Sequence, residues 1–110
     1  MERFVKGDIL VVQFPYTNFS GTKKRPAVVI ATLRGENVIL AQITTTQRND
    51  EDLVSLTRKD FTTGRLNRDS FINTSLILTV DKSEISYKVG NINSAKIKEV
   101  EEKLCEIFTR

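Results

Sequence analysis

The segment RPAVVIATLRGENVILAQITT, residues 25–45, decides how the rest of the chain is read. Pro26 to Ala31 is an unbroken apolar run rich in β-branched residues, the signature of a buried strand. Val38 to Thr45 has the same character. Between them, Arg34-Gly35-Glu36-Asn37 supplies turn residues, so the two runs are expected to form an antiparallel hairpin. Proline cannot donate to a sheet ladder but is tolerated at a strand's first residue, and it pushes Arg25 into an extended conformation. Pairing about the turn brings Arg25–Pro26 beside Ile43–Thr44, with Arg25 opposite residue 45 or so.

Working outward, Asp8 to Phe14 reads as a first, largely buried strand between Gly7 and Pro15. Pro15 to Lys24 is a polar loop with Asn18, Ser20 and Gly21 as turn residues. Beyond the hairpin, Leu53–Leu56 is a short strand. Residues 58–69 look irregular, with Gly64 as a break. Phe71 to Val80 contains a strand at Leu76–Val80. Asp81 to Glu84 is a turn or short 3₁₀ piece, and Tyr87 to Ile92 is a last strand. The period then changes. Ile97, Val100, Leu104, Ile107 and Phe108 form one stripe of a helix capped by Asn93 or Ser94, with Glu99 and Lys103 paired on its outer face and Cys105 at the flank. Five or six short strands with one C-terminal helix give a mainly β fold: a compact, strongly curved antiparallel sheet or small SH3-like barrel, read as a single domain over 1–110.

The chain has 110 residues, 39% hydrophobic and 28% charged, enough for one core. It has one cysteine and no histidine, which excludes an internal disulfide, a Cys/His zinc site and any histidine acid–base chemistry. No apolar run approaches the roughly 20 residues of a membrane span, and the opening MERFVKGD is too polar for a secretory signal. A cytoplasmic protein that binds no membrane is expected.

Net charge is +3, and its distribution is uneven. Residues 93–110 hold four cations and four acids, and residues 51–92 hold six of each, so the whole excess lies in the first 50 residues. Between Asp8 and Asp50 the only acid is Glu36, against Lys23, Lys24, Arg25, Arg34 and Arg48. Such a segment projects a positive potential that attracts phosphates. Arg25 offers a rigid, permanently charged fork that fits phosphate oxygens bidentately. The bland alternative is an acid partner from a distant segment. Thr44 would add a hydroxyl beside Arg25, although a threonine run at a strand end needs no function. Phe14, Tyr16 and Phe19 flank the basic loop and could stack on bases or pin the loop. Asp50, Glu51 and Asp52 read as polar loop, and no glycine-rich phosphate loop followed by a helix occurs.

Three stretches resemble the MazF/PemK family of type II toxins: KGDILVVQFPYTNFSGTKKRPAVVI, ILAQITT, and LNRDSFINTSLILTVDKSEI followed by VGNI. Their order and spacing cover nearly the whole chain. The resemblance implies a small barrel-like sheet, usually dimeric, and a metal-independent, sequence-selective endoribonuclease that needs no cofactor. It implies single-stranded RNA, most plausibly mRNA, as substrate, and as partner an antitoxin whose acidic, flexible tail covers the RNA groove. Arg25 matches the family's Arg-Pro arginine and Thr44 its Ile-Thr threonine, both implied to be catalytic. Attack of a ribose 2′-hydroxyl on its own 3′ phosphate would give a cyclic phosphate. RNA-binding roles are expected for Lys23, Lys24, Ser20, Thr46, Gln47, Asn73 and Ser75. Where the plasmid branch has a first-loop histidine and a later Arg/Asp pair, this chain has Phe19, Asn73 and Ser75; where an acid often precedes Arg-Pro, it has Ser20. Two alternatives stand beside the nuclease. One is a catalytically silent RNA- or protein-binding module of the same fold. The other is a gyrase-type inhibitor, which the absence of tryptophan and the Phe-Thr-Arg ending count against.

Overall fold

A computed structural model describes residues 3–14 and 23–110. Seven strands form one antiparallel sheet: β1 (Asp8–Phe14), β2 (Lys23–Thr32), β3 (Asn37–Thr44), β4 (Leu53–Leu56), β5 (Phe61–Gly64), β6 (Ser70–Asp81) and β7 (Ile85–Ile92). Helix α1 (Ser94–Thr109) follows. The spatial order β4-β6-β3-β2-β1-β7-β5 puts the β2–β3 hairpin near the centre, with β1 against β2 and β6 against β3. The mainly β, strongly curved antiparallel architecture with a C-terminal helix is thus as expected. Two strands differ from the expectation. β5 occupies part of the stretch read as irregular, and β6 runs unbroken from Ser70 to Asp81. Neither carries a clean apolar pattern, because β5 is mostly exposed and β6 interrupts its own alternation at a bulge.

Both faces of the sheet are buried. On one face, Ile9, Val28, Ala41, Ile43, Val54, Leu56, Ile72 and Ile92 pack with Val100 and Leu104 of α1. On the other, Leu10, Val12, Ala27, Val29, Val38, Leu40 and Val80 pack with Phe4. No helical residue belongs to this second cluster. Its burial therefore requires the sheet to curl over itself, with Leu78 and Ile85, on either side of the 3₁₀ turn Lys82–Glu84, closing it. Central strands buried on both faces explain why β1 and β2 read as continuous apolar runs rather than alternating ones.

Local chemistry sets the ends. The Asn93 side chain accepts a hydrogen bond from the Lys96 N–H at 2.8 Å and caps α1. Lys96 is buried; its Nζ donates to Glu99 at 2.8 Å and lies 3.8 Å from Asp60. The expected Glu99–Lys103 pair does not form: Glu99 turns back to Lys96, and Lys103 pairs with Glu106 at 3.0 Å. Phe108 is 70% exposed and Cys105 is exposed, so the stripe loses contact with the sheet in the last turn. Near the other end of the chain, Asp8 is fully buried. Its carboxylate accepts from the Val5 N–H and the Asn91 Nδ2, each at 2.8 Å, and faces Lys88 at 3.2 Å. A buried acid so satisfied ties the chain's start to β7.

Gly64, at φ +70°, ends β5 against Gly90 of β7. A Cβ on Gly64 would collide with the backbone at Val89, and one on Gly90 with the carbonyl of Thr63. Gly35, at φ +89° in the hairpin turn, has open space around it. Gly35→Ala should therefore cost only left-handed backbone strain, about 1–2 kcal/mol. Gly64→Ala adds a backbone clash and should lower the urea midpoint further. Equal midpoints for the two variants would show that the β5–β7 approach carries no stability.

Candidate functional site

The β2–β3 hairpin pairs Thr32 with Val38 and Ala31 with Ile39; a bulge between Val29 and Ala31 then shifts the register by one residue, to Val29–Leu40 and Ala27–Gln42. Continuing by two residues sets Arg25 opposite Thr44 rather than Thr45. The bulge is invisible in composition, and it decides which hydroxyl faces the guanidinium. Ladder pairing with β3 stops at Ala27, so Pro26 is not the first residue of β2 but lies inside it, where only β1 is a neighbour. Along such an edge a missing N–H costs no bond on the open side.

Directly opposed residues share a face. Val12 of β1 stands opposite Arg25, Thr44 opposite Phe71 of β6, and Phe71 opposite Ser55 of β4. One row inward run Leu10, Ala27, Gln42, Asn73 and Leu53. Arg25 therefore sits on the face of Val12 and Ala27, both fully buried, at the point where that apolar cluster gives out. It is half-buried and forms no ion pair among the described residues, so the distant acid partner is not found there.

The Thr44 Oγ1 accepts a hydrogen bond from the Thr46 N–H at 3.1 Å. Among the described residues its own proton has no acceptor, so it can be donated to an incoming oxygen. Thr46 and Gln47 are exposed in the loop that follows. That loop is shaped by Asp50, whose carboxylate accepts from the Asp52 N–H at 2.9 Å and from the Arg48 Nε at 3.2 Å. The Asp52 N–H, with Arg48 beside it, holds the Asp50 carboxyl below its ordinary 3.8. Asp52 in turn meets Arg110, just past the end of α1, at 3.2 Å.

Lys23 and Lys24 are exposed at the start of β2, opposite Phe14 and Gln13. Ser20, with Tyr16 and Phe19, lies outside the described residues. Asn73 and Ser75 are close but face inward to each other: the Asn73 Oδ1 accepts from the Ser75 N–H at 3.2 Å and its hydroxyl at 2.8 Å. Ser75 lies in a bulge that Asn73 borders, because β3 pairs Ala41 with Ile77 and the next residue, Gln42, with Asn73. Bulges of this kind re-aim side chains and recur beside functional sites. Gln42, buried beside Ala27 and Asn73, was missed by the sequence reading; its only signal was a lone amide inside an apolar strand.

Residues 5–108 match the model of the PemK-like, MazF-like toxins of type II toxin–antitoxin systems. The chain belongs to that family. Its fold is shared with a Mycobacterium tuberculosis toxin, MazF-mt6, at TM-score 0.74 and 20% identity, over 92% of this chain and 95% of the other. An endoribonuclease solved with its cognate antitoxin, from a mycobacterial species, superposes at TM-score 0.78 and 16% identity over 96% and 95% of the two chains. A further mycobacterial endoribonuclease gives 0.76 and 16% over 98% and 93%. No curated protein matches by sequence. Among the described residues no helix of the toxin is long and apolar enough to cross a membrane.

The Asp50 geometry can be checked directly. A carboxyl held low contributes structure that is present above the ordinary value and lost as pH falls through the lowered one. The Asp52 amide resonance should hold steady from pH 7 to 5 and shift only below 3.8. A midpoint at or above 3.8 would remove that hydrogen bond from the loop.

Proposed function

We propose that this toxin is an endoribonuclease that cuts single-stranded RNA at a phosphate held between Arg25 and Thr44. What supports the reading is the hairpin register, which opposes these two residues when continued two positions past its last pair, Ala27–Gln42, in a chain of this family. The ribose 2′-hydroxyl gives its proton to water and attacks its own 3′ phosphorus, the bond to the 5′ oxygen breaks and that oxygen takes a proton from water, and the products carry a cyclic phosphate and a 5′-hydroxyl. Arg25 spans two non-bridging oxygens and stabilises the charge that builds on them. Thr44, its oxygen fixed by the Thr46 amide, donates its proton to a phosphate oxygen. Lys23 and Lys24 hold the flanking backbone, with Thr46 and Gln47 reaching the strand from the far side. Ser75 holds the Asn73 Oδ1 through its N–H and hydroxyl, which fixes the amide and leaves the Asn73 Nδ2 hydrogens as the donors of this pair.

A cognate antitoxin with an acidic, flexible segment is the natural regulator, since acids would compete with phosphates for the same cations. The likeness to an endoribonuclease solved with its antitoxin supports this partner. The working unit in this reading is a symmetric homodimer in the cytoplasm, whose paired grooves give an RNA strand more length to bind than one small sheet. Sedimentation at micromolar concentration should find the dimer; a monomer alone would refute it. The silent binding module keeps one observation in its favour: Asn73 and Ser75 stand where the plasmid branch has ionisable groups, and neither can move a proton at neutral pH.

Arg25→Lys keeps the charge and loses the planar fork. Single-turnover cleavage of a mixed-sequence RNA should slow about 100-fold or more, with RNA affinity little changed. Thr44→Val should also slow cleavage while thermal unfolding stays near wild type, because the amide it orphans is exposed to water. End-group analysis should find cyclic phosphate. Undiminished cleavage by both variants would sink the assigned site; a wild type that binds RNA and never cuts it would leave the binding module.

A further inference from the structure

The cations of this toxin divide into those with an acid partner and those without. Lys6, Arg48, Lys82, Lys88, Lys96, Lys103 and Arg110 each face a carboxylate. Apart from Arg3, Arg34 and Lys98, the described cations without one fall in two stretches: 23–25, and 58–68 with Arg58, Lys59, Arg65 and Arg68. Residues 51–92, which contain this second stretch, balance six cations against six acids in a residue count, but not in space. Asp60 is occupied by the Thr57 N–H at 2.8 Å and by Lys96, so it does not neutralise its neighbours.

Arg58, Arg65 and Arg68 line one cavity of about 290 Å³. Phe61 and Leu66 line it too, and both pack against the core beneath. Asp69 is the one acid on its wall. The wall is built, not incidental. The 3₁₀ turn Arg58–Asp60 is fixed by the Thr57–Asp60 capping box and by the Asn93 N–H bonded to the Asp60 carbonyl at 2.8 Å. The Gly64–Gly90 approach launches the loop that carries Arg65 and Arg68. The loop feeds into Ser70 and Phe71, and Phe71 is the strand partner of Thr44. From β2 across β3 and β6 to β4 there are three strand spacings, about 14 Å along the sheet; Phe61 and Leu66 pack on the α1 side and Arg25 stands on the other face, so an RNA strand joining the two rounds the end of the sheet.

We infer that this cavity is a second RNA subsite, which takes one nucleotide a short distance along the strand from the phosphate at Arg25. The inference rests on the ribonuclease reading above. The base lies against Phe61 and Leu66, the arginines take its phosphate, and Asp69 accepts from a base amino group. An arginine rim around an apolar wall suits a nucleotide better than a bare anion, which would leave the wall idle, or an apolar ligand, which would leave the guanidinium groups idle. The volume lies just below the range of drug-sized pockets and fits a single unit of a longer chain.

The test is fluorescence anisotropy with a short, labelled, mixed-sequence single-stranded RNA, in an Arg25→Lys background so that the probe survives. Arg65→Ala with Arg68→Ala is compared with Arg3→Ala plus Arg34→Ala. The control pair removes the same charge at the hairpin-turn end, where Arg3 borders Leu33 and Gly35. All four side chains are exposed, so both pairs should fold. The cavity pair should weaken binding about tenfold or more and reduce the salt slope by about 0.7, one phosphate contact on a single strand. The control pair should do much less. Equal losses in the two pairs would mean that net charge alone was read, and no loss in the cavity pair would remove the subsite; either overturns the inference. Wild-type cleavage with unchanged cavity-pair binding defeats the subsite and spares the nuclease. Selective loss of binding in the cavity pair, with no cleavage by wild type, defeats the nuclease and spares the subsite.

Discussion

The pairing of β2 with β3 is the constraint on which everything else rests. These strands lie near the centre of the sheet, and residues on both of their faces are buried. A polar side chain there has few places to be satisfied, so polarity is driven to where the ladder runs out. Pairing stops at Ala27 and Gln42, and the next residues on that face are Arg25 and Thr44. The candidate site is thus the frayed end of an otherwise apolar hairpin. Its stiffness comes from the packing of Val12, Ala27 and Val29 behind it, and its chemistry comes from the residues that packing excludes.

The same logic governs the bulges. The one between Val29 and Ala31 costs a paired residue and moves Thr44 into place. The longer one on β6 leaves three residues without partners on β3, and Thr74 there binds the Asp52 carbonyl through its hydroxyl at 2.6 Å. That bond, with Arg110 on the Asp52 carboxylate, connects the loop after Thr44 to β6 and to the last turn of α1. The loop is held from three sides while its middle, Thr46 and Gln47, stays open to a ligand.

Electrostatics work by subtraction. Among the described residues, seven of the seventeen cations are matched to acids, mostly at the surface, where such pairs add little stability. Their effect is to leave the unmatched groups, most of them at 23–25 and 58–68, as the sources of positive potential. Lys96 shows the structural extreme: it is buried between Asp60 and Glu99, joins α1 to the turn before β5, and thereby takes Asp60 away from the arginines nearby.

By itself the sequence determined the elements that depend on continuous patterns. The apolar runs at 8–14, 26–31 and 38–45 could only be buried strands, and the stripe at 97–107 with Asn93 before it could only be a capped helix, because burial and capping are local demands on residue type. The Arg25–Pro26 step and the Thr44 run were legible for the same reason. Tertiary structure decided what depends on partners. β5 has no apolar signal, since its pairing with β7 comes from two glycines allowing close approach. That Arg25 rather than a neighbour falls in register with Thr44, when the ladder is continued past Ala27 and Gln42, follows from a bulge that no composition reveals. The cations of 51–92, the arginines at 58–68 among them, balance against acids when counted along the chain, yet Asp60 is spent elsewhere in the fold. Charge along a chain sums by number; charge in a folded protein sums by distance, and only the fold sets the distances.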